Sequence, residues 1–131
     1  MGPEQFFLQR IAANGAPVAG FGPGSSGRVI DPLLGFGGVA NAVTIDDSSR
    51  VIAVGTAKTA GASRMAVTRY TFAGVADGGF GSGGRATVTT GGGEARANAV
   101  GRQSNGRIIA AGSARAAAGS SMHGVVVALR P

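Results

Sequence analysis

The 131-residue chain has no cysteine and no tryptophan, and only one tyrosine and one histidine. Lacking cysteine, it has neither disulfides nor thiolate metal sites, which leaves the redox compartment open. A single histidine, His123, excludes a multi-histidine metal centre within one chain. No apolar run reaches the roughly 18 residues a membrane span requires. The start, Met1-Gly2-Pro3-Glu4, lacks the basic and apolar regions of a signal peptide. Phe6 stands where a myristoylation signal needs Ser or Thr. Acids are few: Glu4, Asp31, Asp46, Asp47, Asp77 and Glu94 face twelve basic residues, all arginine but Lys58, for a net charge of +6. Such a balance can attract nucleic acid, anionic lipid or acidic glycan, with solubility as the simpler explanation.

Glycine is abundant at 25 residues, and the 44% apolar fraction is largely alanine, with six Phe among the few large side chains. Each ordered glycine costs more backbone entropy than other residues. Thin sheets of small side chains packed face to face suit this composition better than one deep core.

The chain repeats itself. Ala40-Asn41-Ala42-Val43 recurs as Ala97-Asn98-Ala99-Val100, 57 residues on, and Arg50-Val51-Ile52-Ala53-Val54-Gly55 recurs as Arg107-Ile108-Ile109-Ala110-Ala111-Gly112 at the same offset. Gly20-Phe21-Gly22 recurs as Gly79-Phe80-Gly81. A further block occurs as Leu8-Gln9-Arg10-Ile11, Val67-Thr68-Arg69-Tyr70 and Ala128-Leu129-Arg130-Pro131. Short β-branched runs bounded by Gly and Ser read as strands. Asn105-Gly106 predicts a type I′ hairpin turn, because both residues tolerate positive φ, and Ser48-Ser49 holds that place in the first copy. No window keeps a 3.6-residue apolar period. Nine strands are predicted, near residues 5–12, 27–32, 40–46, 50–58, 64–72, 84–90, 97–103, 107–115 and 123–130. Four short strands per repeat is the signature of a propeller blade.

These blocks resemble the delta-sixty repeat, a bacterial family of predicted β-propeller repeats without an assigned activity. The resemblance is carried by Ala99-Val100 running into Asn105-Gly106-Arg107-Ile108-Ile109-Ala110-Ala111-Gly112, by Met65 to Tyr70, by Asp77-Gly78-Gly79-Phe80-Gly81, and by Val88-Thr89-Thr90. The first copy departs from the pattern: Val18 replaces the aspartate supplied later by Asp77, Ser48-Ser49 replaces Asp-Gly, and an insertion lies around Pro23 to Ser26. The resemblance implies an all-β fold of four-stranded propeller blades, about two per chain. Residues 1–38 would form outer strands of a first blade, 39–92 one full blade and 93–131 most of a further blade. It also leans toward a secreted or cell-surface bacterial origin.

A propeller closes with 4–8 blades, so nine strands cannot close a ring. Open edges invite pairing, and a repeat cannot bury its faces alone. The expectation is a ring completed by self-association, each C-terminal sheet being completed by the N-terminal strands of the next copy. Three copies would supply about six blades.

Candidate chemistry is sparse. Two G-x-G-x-x-G patterns, Gly22 to Gly27 and Gly79 to Gly84, precede strands rather than helices, so they read as loop glycines instead of a nucleotide site. Asp46-Asp47 reads as a solvated turn, since calcium needs a fuller ligand set. His123 aligns with Arg64 or Met65 and reads as surface filler. Asp77 is expected to pair with an arginine such as Arg69. Arg10, Arg69 and Arg130, recurring at one motif position, would form a ring of cations able to bind phosphate bidentately or to cap strand ends. Asn41 and Asn98, on the presumed innermost strands, would satisfy backbone groups or touch a ligand in the channel. No catalytic residue, metal site or cofactor is expected. The leading expectation is a non-enzymatic scaffold or interaction module. The alternative is polyanion binding through the repeated arginines, which would weaken steeply with salt.

Overall fold

The computed structural model describes residues 4–33, 35, 37–90 and 93–131. Met1–Pro3 at the chain start, and Gly91-Gly92 at the expected boundary between the last two segments, lie outside the described residues. Nine strands form in the predicted places: β1 (Phe6–Gln9), β2 (Arg28–Asp31), β3 (Gly38–Ile45), β4 (Val51–Lys58), β5 (Ser63–Tyr70), β6 (Arg85–Val88), β7 (Ala95–Arg102), β8 (Ile108–Ala114) and β9 (His123–Leu129). They make three open antiparallel sheets, β1-β2, β3-β4-β5-β6 and β7-β8-β9, called here sheets 1, 2 and 3. The described residues contain no α-helix, only a short 3-10 turn at Pro23–Ser25.

The strand pairing repeats with the sequence. β3 and β4 carry a bulge between Ala40 and Ala42, and β7 and β8 carry the same bulge between Ala97 and Ala99. A bulge leaves one residue unpaired and re-aims its side chain; here those residues are Asn41 and Asn98. Opposite each bulge stands a glycine for a steric reason. A Cβ on Gly55 would overlap the Val39 carbonyl, and one on Gly112 the Arg96 carbonyl. Sheet 1 repeats the outer half of sheet 2. Arg10 N–H donates to the Gly27 carbonyl as Arg69 N–H does to Gly84, and Val18 N–H donates to the Arg10 carbonyl as Asp77 N–H does to Arg69. Gly22 and Gly81 both leave room for a carbonyl, that of Arg28 or Arg85. Between Gly22 and Gly27 the first copy is two residues longer, and the 3-10 turn absorbs them.

The Asn105-Gly106 turn differs from expectation. Gln103 N–H donates to the Arg107 carbonyl, and Gly106 N–H to the Gln103 carbonyl, so the loop has three residues, Ser104 to Gly106. Of these three residues only Gly106 has positive φ, at 83°. This is a type I turn closed by a left-handed residue, not a type I′ turn. Ser49 takes the same role in the first copy at φ 60°. There the Asp46 carboxylate stabilises the loop, accepting from the Ser48 and Arg50 backbone N–H groups and from Arg50 Nε.

Two cores lie between the sheets. Sheet 1 packs on one face of sheet 2 through Phe6, Leu8, Phe21, Val29, Ala53, Ala66 and Tyr70. The other face of sheet 2, with Ile52, Val54, Met65 and Val67, meets sheet 3 through Ala97, Ile108 and Ala110. Sheet 2 therefore has a neighbouring sheet on each face, whereas among the described residues no sheet packs on the outer faces of sheets 1 and 3. Phe7 and Ile30, a cross-strand pair on sheet 1, are about half exposed.

Candidate functional site

Of the five singled-out residues, Arg10 and Asn41 line one groove, and Arg69, Asn98 and Arg130 do not join them there. Arg69 is buried, 3% exposed; its Nε donates to Asp77 Oδ2 at 2.8 Å, and its guanidinium lies 4.9 Å from the Phe80 ring centre. The expected Asp77–Arg69 pair therefore forms, with Arg50 adding a second cation 3.6 Å from the carboxylate. The Gly79 backbone N–H, together with Arg69 and Arg50, holds the Asp77 carboxyl below the usual carboxylate range against the opposing effect of burial. Arg10 has no such acid, because Val18 holds the place of Asp77. It stacks instead on Phe72, 3.9 Å from the ring centre, and donates to the Phe72 carbonyl.

Arg130 is not the equivalent of Arg69. Arg69 stands across from Ile52 on β4, and the residue across from Ile109 on β8 is Ala128. The motif alignment slides by two residues here. Packing sets this register by turning Val125, Val127 and Leu129 toward sheet 2. A two-residue slip keeps every side chain on its face, so the arginine match looked sound in sequence. The ring of three cations therefore loses one member. A second member, Arg69, is committed to Asp77.

Asn41 resolves to the backbone role. From the bulge, its Nδ2 donates to the Ala97 carbonyl at 2.7 Å, tying sheet 2 to β7, an edge strand of sheet 3. Asn98 sits at the matching bulge, exposed, without a partner among the described residues. A second tie joins the same sheets. The Asp47 carboxylate grips Arg102 at 2.8 and 2.9 Å, and that contact lowers the Asp47 carboxyl below its ordinary value. Asp46 and Asp47 thus each have an arginine, and among the described residues no group of three or more acids and histidines could hold a metal ion. His123, matching Arg64 across the β4–β5 and β8–β9 pairings, is exposed at the start of β9.

Two features were not read from the sequence. The first is a polar cluster between sheets 1 and 2. The Asp31 carboxylate, 2% exposed, accepts from Tyr70 Oη at 2.7 Å, from Arg85 Nε at 3.0 Å and from the Leu33 N–H at 2.7 Å. Burial, aided by the Asp31 carboxylate, pushes the Tyr70 phenol well above its ordinary pKa. The signal in the sequence was alternation: Asp31 lies two residues after the inward Val29 and must face the same way.

The second feature is a groove of about 660 Å³ between β1 and the inner part of sheet 2. Its walls include Phe7, Ala40, Val43, Ile45, Val51 and Ala53. Val43 and Ile45 are 62% and 56% exposed. The groove exists because sheet 1 has only two strands, which bury Ala53 and Ala57 of β4 but leave Val43 and Ile45 of β3 uncovered by any described residue. Most of its lining is apolar, with Gln9, Arg10, Asn41, Thr44 and Ser49 as the polar members, and among the described residues no acid lines it.

No protein-family model, curated protein or solved structure matches this chain.

Proposed function

We propose that this protein is a non-enzymatic scaffold or interaction module of the β-propeller type, built from delta-sixty-like repeats, which assembles with further copies of itself into a ring. The supporting observation is that equivalent residues are covered inside the chain and bare at its ends. Leu8, Val67 and Val126 occupy one position in the three sheets. The first two are 9% and 0% exposed because a sheet follows them, and Val126, which no sheet follows, is 70% exposed. Exposed apolar faces of this kind mark interaction surfaces. Three copies bring 27 strands in total to a six-bladed ring of about 24.

The polyanion reading gains nothing from the arrangement, since Arg69 would have to leave Asp77 to reach a phosphate. Light scattering across a wide concentration range tests the proposal. Masses at multiples of the single chain are expected, and one-chain mass at every concentration overturns it.

A further inference from the structure

We infer that the groove between β1 and β3–β4 is the seat of the β7–β8 hairpin of a second copy of this chain, which pairs there with β1 and releases its own β9. The inference rests on the self-association proposed above and specifies its interface.

The chain contains one example of the contact. Between sheets 2 and 3, Val100, Ile108 and Ala110 are covered by strands that present Ala42, Ile52 and Val54. In the groove, the equivalents of the covered residues are Val43, Val51 and Ala53. In sheet 3, the equivalents of the covering residues are Ala99, Ile109 and Ala111. These last lie on the bare outer face of sheet 3, opposite in direction to the face that meets sheet 2. One copy thus carries both halves of the internal contact at its two ends. Among the described residues no sheet covers Ala99, Ile109 and Ala111, and Val43 stands 62% exposed beside Val51, while Ala53 is already buried in the core with sheet 1.

The backbone edge agrees. β5 pairs with β4 on one side and β6 on the other, whereas its equivalent β1 pairs with β2 alone. β8 is the equivalent of β4, so the open edge of β1 is shaped for β8. An exposed strand edge recruits such a partner through main-chain hydrogen bonds. The same placement brings Asn98 to the Ala40 carbonyl of the second copy, repeating the donation of Asn41 to Ala97.

One strand must yield. β1 and β9 are both equivalents of β5, so each junction between copies has one third strand too many. β1 buries Phe6 and Leu8 in the core against sheet 2, while no residue of β9 is fully buried. β9 is therefore the strand displaced, a domain-exchange step in which backbone pairing to β8 passes from one chain to the next.

The absence of native cysteine makes a thiol test clean. The double variant Ala40→Cys/Asn98→Cys is oxidised and resolved on a denaturing gel, beside Asn41→Cys/Ala97→Cys, which reports the same contact within one chain. The seat predicts chain-to-chain bridges for the first pair and single chains with an internal bridge for the second. Phe7→Cys/Val126→Cys reports the rival arrangement, in which sheet 3 stacks whole on the outer face of sheet 1. Assemblies in solution with bridging only through residues 7 and 126 would overturn the seat and leave self-association standing. A one-chain mass throughout would overturn both. Amide exchange gives a second reading: residues 123–129 lose protection on assembly, and protection that persists in the assembled protein contradicts the exchange.

Discussion

The junction between sheets 1 and 2 and the junction between sheets 2 and 3 share one geometry and use opposite chemistry. At the first, Asp31, Tyr70 and Arg85 form a satisfied polar cluster. At the second, the positions of Asp31 and Tyr70 are held by Val88 and Leu129, which pack on the apolar core. Sheets 1 and 2 share backbone features in their last two strands: the Arg10 and Arg69 N–H donations to Gly27 and Gly84, and the glycines Gly22 and Gly81 that leave room for a carbonyl. Sheets 2 and 3 share the bulge and the glycine opposite it. The side chains that fill the gaps between sheets are exchanged as complete sets. A partial set is what the fold cannot tolerate, because an unpaired buried polar group keeps its full desolvation cost.

The largest effect should come from breaking that set. Asp31→Val strands the Tyr70 hydroxyl and is expected to cost about 3–5 kcal/mol, the usual loss when one partner of a buried pair is removed. Asp31→Val/Tyr70→Leu copies the second junction and should recover most of it, since Arg85, about a third exposed, can turn to water. Denaturant unfolding of the single and double variants measures the coupling. Strictly additive costs would break the comparison between the junctions.

The same cluster gives an alkaline limit. With the folded-state pKa of Tyr70 raised above 10.0, the neutral phenol is favoured in the fold, so its contribution is complete below that value and is lost as pH rises past it. Tyr70 is the only tyrosine, so phenolate absorbance followed alongside unfolding should show ionisation delayed until the chain opens. Ionisation at the free-tyrosine pH with the fold intact would contradict this.

Next in size are the glycines that face the bulges. Gly55→Ala and Gly112→Ala should each cost about 1–3 kcal/mol through forced backbone shifts, with the larger loss at Gly55 in the doubly covered sheet. Gly61→Ala, where a Cβ meets nothing within 4 Å, is the control. Thermal unfolding ranks the three. The smallest change is a gain: Val18→Asp gives Arg10 the acid that Asp77 gives Arg69, worth at most about 1 kcal/mol for a partly exposed pair. Failure of Val18→Asp to stabilise at low salt would mean that stacking on Phe72 already satisfies Arg10.

Much of the fold was legible in the sequence because its signals are local. Runs such as Val51 to Gly55 and Ile108 to Gly112 are β-branched or small and bounded by turn residues, so all nine strands appear where read. The Asp77–Arg69 pair was legible because both residues belong to one repeat, eight positions apart. What was hidden depended on register or distance. The slip at Arg130 preserved side-chain parity, so nothing in the alternation of residues 125–130 exposed it. The hairpin at Asn105-Gly106 needed only one left-handed residue, a difference that composition does not encode. Asp31, Tyr70 and Arg85 lie 39 and 54 residues apart along the chain, so their meeting is a product of sheet stacking. The lack of further strands in sheet 1 was legible, since residues 1–38 read as outer strands alone, but the groove that this leaves beside Val43 and Ile45 was not drawn from it.

The central claim is that the bare outer face of β8 is one half of a contact between copies. Its most direct test is the native mass of Ala111→Lys beside that of the unaltered protein. Ala111 is the equivalent of Val54, which is fully buried by the next sheet. A folded variant reduced to single chains, with the unaltered protein in multiples, is the predicted result; equal masses for the two proteins would contradict it.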